Sequence, residues 1–398
     1  MQIQSITVKE FKVCQNLKID PGQVNVLIGS NGSGKSTLLE AIGLLSAAMT
    51  DRINNTTLME KGIRLSASDL YQSSFQSTRR NPTMDFEIVW AGVFGDNISP
   101  NDTFTYEVSL KAPNEENTWQ YCSEVLYKGD EKIFDRSNTS LDDEFNQFVG
   151  SLMLKNSTNI QHIKPSIKKF QKYGIYQPNT PVLRGIFQDQ YQTEPMGLCG
   201  GRLAEAIDEI LSAGNGEKFG PLWLDDVLEL IDWAKQIKTA NPKKSNINAS
   251  VSAARHVIEF SDRYMREENR FTAYDASEGA LYVLFLLSLA AHEKAPNIFA
   301  IDNFDQAMNP RLAKVATQIF SNMILNSNKT VFLTTHNPLV LDGLDIQNDK
   351  VRVFTMDRSD EGYAKIRRVK VEQSLIDQNQ PLSRLWVNGR LGGVPELI

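Results

Sequence analysis

Val24-Asn25-Val26-Leu27-Ile28, followed at once by Gly29-Ser30-Asn31-Gly32-Ser33-Gly34-Lys35-Ser36-Thr37, is the stretch that decides the fold. The first five residues carry no charge and read as a fully buried strand. Gly29 to Ser36 fits G-x-x-x-x-G-K-[ST] without deviation. From Ser36 onward, Leu38, Leu39, Ile42, Leu45 and Met49 recur at helical spacing. Strand, glycine-rich loop and helix in this order make a phosphate cradle. Glycines let the backbone wrap a phosphate, its N–H groups point inward, and the helix N-terminus favours negative charge. Lys35 is then placed to reach β- and γ-phosphates and the Ser36 hydroxyl to ligate Mg²⁺, with Thr37 beside them. With Gly at ~7 % of residues, a chance match in such a chain is on the order of one in a hundred.

Upstream, Ile6, Val8 and Phe11 alternate as a half-buried strand. Downstream, residues 51–82 are polar and poorly periodic, a loop-rich excursion with room for one short helix. Four β-rich runs follow, around Phe86–Phe94, Thr103–Leu110, Thr118–Tyr127 and Lys132–Phe134. Turn residues such as Gly95-Asp96-Asn97 and Gly129-Asp130 separate them, which predicts an antiparallel meander. Residues 140–245 read as mainly helical, interrupted between Gly174 and Gly201. An α/β pattern then resumes, with helices over Leu281–His292 and Arg311–Asn326 and strands over Asn297–Asp302, Thr330–Thr334 and Val351–Met356. Such alternation implies an α/β fold with a parallel sheet, split here by an insertion of roughly 200 residues.

Composition narrows the function classes. The chain has 398 residues, 42 Lys+Arg against 48 Asp+Glu, a net charge of −6, 41 % apolar and 23 % charged residues. That is ordinary globular usage, and the mild acidity argues against coating nucleic acid through bulk charge. Cys14, Cys122 and Cys199 are odd in number and far apart, giving neither a disulfide framework nor a metal pair. The N-terminus lacks the pattern of a signal peptide, and no run approaches the ~20 apolar residues of a membrane span. A cytoplasmic protein without membrane contact is expected.

A P-loop needs a second acid for its metal, and Ile298-Phe299-Ala300-Ile301-Asp302 ends an apolar strand in one. His336, in Thr334-Thr335-His336-Asn337-Pro338, stands at the carboxyl end of the next predicted strand, where ligands of open α/β sheets bind. An imidazole there can hydrogen-bond a γ-phosphate or the attacking water. His162, His256 and His292 read as structural.

With these motifs in order, the sequence resembles the ABC-type ATPase heads of the RecF, SMC and OLD group, including AAA-family ATPase subunits of bacterial anti-phage defence systems. The resemblance implies a P-loop NTPase of ABC-ATPase type that takes ATP and Mg²⁺. Asp275-Ala276-Ser277-Glu278-Gly279 is similar to the ABC signature, Asp302 to the Walker B acid, Gln306–Pro310 to the D-loop and His336 to the switch histidine. In that group the signature of one protomer covers the γ-phosphate held by the other, which implies an ATP-sandwiched dimer. Ser277 to Asp302 is 302 − 277 = 25 residues and Asp302 to His336 is 336 − 302 = 34, both typical of such heads. Lys35 to Ser277 is 277 − 35 = 242 residues, too long for a transporter ATPase and too short for SMC arms. The expected organisation is an ATPase head formed by 1–50 and 251–398, a β-rich continuation at 51–139, and a mainly helical insertion at 140–250. Pro381–Pro395 (PLSRLWVNGRLGGVP) is also similar to C-terminal ends of small bacterial ATPases of this group.

One departure from the group's pattern matters. Asn303 stands where the group places a Glu after the Walker B Asp, giving Asp302-Asn303-Phe304-Asp305. An amide orients a water but takes no proton at neutral pH. Either Asp305 moves into the role, or hydrolysis is slow and the protein is a long-lived ATP switch, the reading favoured here. Only 398 − 336 = 62 residues follow His336, too few for a TOPRIM nuclease, so a separate effector polypeptide is expected. Two lysine clusters, Lys164/Lys168/Lys169/Lys172 and Lys235/Lys238/Lys243/Lys244, lie in acid-free segments. They read first as solvated helix faces and second as a DNA-binding stripe, with Phe170 and Tyr173 interleaved in the first. Trp223 and Trp233 read as core or interface anchors. Three functions remain: a defence sensor or scaffold, a RecF-like DNA-repair ATPase and, disfavoured by spacing, a transporter subunit.

Overall fold

The computed structural model describes residues 1–76, 81–94, 97–113, 118–136, 147–150, 163–189, 191, 193–242, 256–266, 270–370 and 380–393. Two six-stranded sheets organise it. The P-loop strand Val24–Gly29 lies inside the first, in parallel pairing with Thr330–Thr334 on one side and Val351–Arg358 on the other. Beyond Thr330–Thr334 come Ile298–Ile301 and the two-residue strand Ile175–Tyr176, both parallel; Ala364–Arg368 closes the opposite edge antiparallel. The two α/β halves of the sequence therefore interleave into one sheet. All residues of Val24–Gly29 are buried, as a charge-free strand covered on both faces requires.

The second sheet is antiparallel. Gln2–Phe11 and Cys14–Ile19 form a hairpin that continues into Met84–Phe94, Asn97–Lys111, Gln120–Lys128 and Glu131–Asp135. The meander expected from its turns is thus extended by the N-terminal strands. Between the two sheets runs the P-loop helix Lys35–Ala48, buried at every residue except Ser36. Leu38, Leu39, Ile42 and Leu45 share one core with Ile6, Val8, Trp90 and Tyr106 of the antiparallel sheet and with Leu27, Ala300 and Phe332 of the parallel one. Hydroxyls supply polar anchors: Tyr173 donates to the Leu39 carbonyl at 3.0 Å, and Tyr121 to that of Ala48 at 3.1 Å.

The signature helix Glu278–Ala291 packs in the second core with Phe299, Ile301, Phe320 and Leu333, against the other face of the parallel sheet. Residues 163–242 differ from a mainly helical insertion. Helices Lys164–Gln171, Thr180–Leu183, Leu203–Ala213 and Leu224–Leu230 alternate with strands, and Ala234–Ala240 pairs antiparallel with Val257–Asp262, which pairs with Arg270–Thr272. The three-residue spacing of Lys235 and Lys238 masked the strand, whose Ala234 and Ile237 are buried in the core. No helix among the described residues is long and apolar enough to cross a membrane.

Candidate functional site

The sheet topology converges on one cleft. Gly29 ends its strand in a backbone conformation at φ 154°, where an added Cβ would lie 2.2 Å from the Met356 carbonyl oxygen. Gly32 and Gly34 follow at φ 77° and 105°, the left-handed region that favours glycine. Lys35 then starts the helix, and its Nζ donates to the carbonyls of Gly29 (2.8 Å) and Ser30 (2.9 Å). Burial pulls its pKa down to about 8, against the opposing pull of the Asp302 carboxylate. Asn31, Gly32, Gly34, Lys35, Ser36 and Thr37 all line a cleft of about 240 Å³. Ser33 is fully buried beneath the loop.

Asp302 follows Ile298–Ile301 directly, so the strand sets its place. Its Oδ2 accepts from Ser36 Oγ at 2.9 Å and from Gln177 Nε2 at 3.0 Å, while Oδ1 accepts from the Thr334 hydroxyl. Residues 266 positions apart in sequence are thus joined by one hydrogen bond. Asn303 lies in the cleft wall at φ 56°, its N–H donating to Thr334 Oγ1 at 2.9 Å. Asn is among the few non-glycine residues that adopt this conformation readily. Asp305 instead accepts from the Thr335 hydroxyl at 2.6 Å and is absent from the cleft lining. His336 lines the cleft, and burial and then Lys35 lower its pKa, with Asp305 and Asp302 opposing.

Sequence reasoning missed three residues of this site, Arg64 and Arg358 in the cleft wall and Gln177 bonded to Asp302. Gln177 follows a strand of only two residues, too short to show periodicity. Arg64 comes from the loop-rich excursion and pairs at 2.6 Å with Glu40, a buried carboxylate of the P-loop helix that Lys12 also reaches at 2.7 Å. Arg358, two residues beyond the expected end of its strand, donates to the Gly32 carbonyl at 2.8 Å.

The signature stands elsewhere. Ser277 and Glu278 are exposed, Gly279 is half-buried, and none of the three lines the cleft of its own chain. Trp233 Nε1 donates to Ser277 Oγ at 3.3 Å, the Thr180 hydroxyl bonds Glu278, and Arg184 donates to the Ala276 carbonyl at 3.1 Å. Trp223, expected as an anchor, is 56 % exposed beneath the Lys218 ammonium. Of the first lysine cluster, Lys168, Lys169 and Lys172 are exposed, but Phe170 and Tyr173 are core residues and cannot stack on bases. Lys235 and Lys238 lie on the Ala234–Ala240 strand rather than a helix; Lys243, Lys244 and His162 fall outside the described residues.

Comparison with known proteins agrees with this geometry. The family profile "AAA ATPase domain" matches residues 1–177, and "AAA domain, putative AbiEii toxin, Type IV TA system" matches residues 211–342. The DNA replication and repair protein RecF of Oenococcus oeni is 45 % identical over 56 residues, 14 % of this chain and 15 % of that protein. RecF of Heliobacterium modesticaldum is 46 % identical over 54 residues, 13 % of this chain and 14 % of that protein. The chain thus aligns with about one seventh of those relatives' length. Among solved structures, an SMC head bound to the C-winged helix domain of ScpA superposes with TM-score 0.57 at 13 % identity, covering 94 % of this chain and all of that one. The Pyrococcus furiosus SMC head with an extended coiled coil, bound to the C-terminal domain of ScpA, gives 0.52 at 12 % identity over 95 % of this chain and 98 % of that one. Two AAA-type ATPase profiles therefore match separate parts of the chain, a short segment is similar to RecF, and the fold is that of SMC heads.

Proposed function

We propose that this chain is an ABC-type ATPase that closes two copies around ATP and hydrolyses it slowly. In this reading it is a sensor or scaffold for a separate effector in bacterial phage defence. The carrying observation is the separation of half-sites. Lys35, Ser36 and Asp302 converge on one cleft, while exposed Ser277 and Glu278 and half-buried Gly279 lie outside its lining. A second copy in the reciprocal orientation supplies the missing half.

The residues fit a divalent cation. Ser36 Oγ and Asp302 Oδ2 are hard oxygen donors 2.9 Å apart, suited to Mg²⁺ completed by nucleotide oxygens and water. When bound, such an ion offsets charge on the β- and γ-phosphates. Lys35 would exchange its two loop carbonyls for phosphate oxygens. His336 would hydrogen-bond the γ-phosphate or the attacking water, and the Asn303 amide would orient that water without taking its proton. Asp305, tied to Thr335, is poorly placed as a substitute base. Loss of a general base slows hydrolysis by roughly 10²–10⁴. The effector role draws on the defence-linked profile at 211–342 and on the SMC heads solved with ScpA domains.

A RecF-like DNA-binding ATPase is the second reading, favoured by exposed Lys168, Lys169 and Lys172 and by the RecF-like segment. One experiment separates them: molar mass in solution with ATP, with and without linear duplex DNA. The switch reading expects a dimer that persists with ATP, is absent in Lys35→Ala and is indifferent to DNA. A monomer under all conditions would sink it. DNA-dependent assembly lost in the Lys168→Glu/Lys169→Glu variant would favour the RecF-like reading.

A further inference from the structure

The segment Pro381–Gly393 joins two parts of the nucleotide site that are otherwise far apart in the chain. Its helix Leu382–Val387 is held by Leu382, Leu385 and Trp386, all buried in the core beneath the signature helix. Its N-terminal end is anchored by one side chain: Asp342 accepts from Ser383 N–H at 2.9 Å and from Ser383 Oγ at 2.6 Å. Asp342 caps the short helix Pro338–Leu341, which begins two residues after His336 with Asn337 as its N-cap. At the other end the chain turns through Gly389, Gly392 and Gly393, all at positive φ, and Gly393 is buried. A Cβ on Gly393 would lie 3.2 Å from the Gly29 Cα and 3.5 Å from the Thr355 side chain.

Gly29 is the residue on which this contact matters. It opens the P-loop, and its carbonyl holds the Lys35 ammonium. On one side its backbone meets the Met356 carbonyl, and on the other it meets Gly393. The Gly29 peptide is therefore walled in, and the second wall is supplied by a segment whose far end is fixed next to His336. A Cβ at 393 would press on the Gly29 backbone, and the positive φ there also favours glycine.

We propose that Pro381–Gly393 is a strap that positions the P-loop for nucleotide and couples it to the His336 segment, with Gly393 as the positioning residue. The proposal rests on the nucleotide-binding reading of the cleft. Displacing Gly393 shifts the Gly29 peptide, and with it the carbonyl that Lys35 must leave when it takes up phosphate. Disturbance at the Ser383–Asp342 anchor acts on the same loop from the opposite end.

Gly389 supplies a control within the strap. It has the same φ of 72° as Gly393, but a Cβ there would meet nothing within 4 Å. Gly393→Ala and Gly389→Ala therefore introduce the same backbone strain, and only the first presses on the P-loop. Binding of a fluorescent ATP analogue to the full chain is measured for wild type, both variants and Lys35→Ala, beside their melting temperatures without nucleotide. The strap expects Gly393→Ala to bind about tenfold more weakly, because its Cβ presses on Gly29, while Gly389→Ala, with the same strain and no such contact, stays within about twofold. Equal affinities for the two variants, with a wild type that binds, would overturn the strap alone. A wild type that binds no better than Lys35→Ala would overturn the nucleotide reading and the strap with it. If Gly393→Ala does not fold, Asp342→Ala tests the far anchor with every P-loop contact intact. Weakened binding supports the strap, and unchanged binding overturns it.

Discussion

The P-loop helix and the signature helix are alike in most respects. Each is 14 residues long, each is buried over most of its surface, and neither has its first turn capped by a side chain. The helices Pro310–Leu325 and Pro338–Leu341, by contrast, are capped by Asn309 and Asn337. An uncapped N-terminus leaves backbone N–H groups for an anion. The two differ in where that end points. The first begins at Gly34 inside the chain's own cleft; the second begins at Ser277, on the surface, with its hydroxyl accepting from Trp233. In the proposed dimer, two such helix ends facing different spaces would complete one site when two molecules meet.

The strongest way to break that comparison is mixing. Lys35→Ala removes the phosphate-binding half and Ser277→Arg blocks the signature half, so each variant alone should hydrolyse almost no ATP. Random assortment of an equimolar mixture makes half the dimers mixed, each with one intact site of two. The mixture should therefore regain about a quarter of wild-type turnover in a steady-state phosphate-release assay. No recovery on mixing would mean that each chain works alone and that the surface position of Ser277 has another cause.

A smaller effect sharpens the chemistry of the cleft half. If the amide at 303 limits hydrolysis, Asn303→Glu should raise single-turnover cleavage by about a hundredfold, within the range expected of a general base. The substitution also places a Glu at φ 56°, a cost of about 1–2 kcal/mol that should appear as a lower melting temperature. An unchanged rate would point back to Asp305, and Asp305→Ala in the wild-type background would then have to abolish turnover.

How much of this was legible depends on whether a residue sits on a regular element. Lys35, Ser36, Asp302 and His336 lie at the ends of buried parallel strands or the start of a helix, so periodicity located them, and all four line one cleft. Gln177, which donates to Asp302, and Arg64, in the cleft wall, come from the end of a two-residue strand and from a loop, where no period exists to be read. The strand Ala234–Ala240 was hidden for a different reason. Its outward lysines at 235 and 238 are three apart, a helical spacing, and tertiary pairing with Val257–Asp262 overrides it. Gly393 is legible only in three dimensions, because its partner Gly29 lies at the opposite end of the chain.

The mildest test uses pH, and it separates the cleft lysine from its buried counterparts. Lys35, Lys61 and Lys329 each have a pKa lowered by burial to about 8. Between that value and the ordinary lysine range the unfolded chain holds protons that the folded chain has lost, so stability without nucleotide rises with pH across this window. Nucleotide affinity should move the opposite way. Phosphate binding needs the Lys35 ammonium, so above pH 8 the protein must take up a proton to bind, and affinity should fall by up to about tenfold between pH 8 and 9. Lys35→Arg, charged throughout, should flatten the affinity profile while leaving the stability slope that Lys61 and Lys329 contribute. Their ammonium groups bind backbone carbonyls far from phosphate, Lys61 that of Tyr173 and Lys329 those of Leu289, Ala290 and His292. A wild-type affinity that is flat from pH 7 to 9 would show that Lys35 keeps its proton in the free cleft, and that the Asp302 carboxylate outweighs burial there.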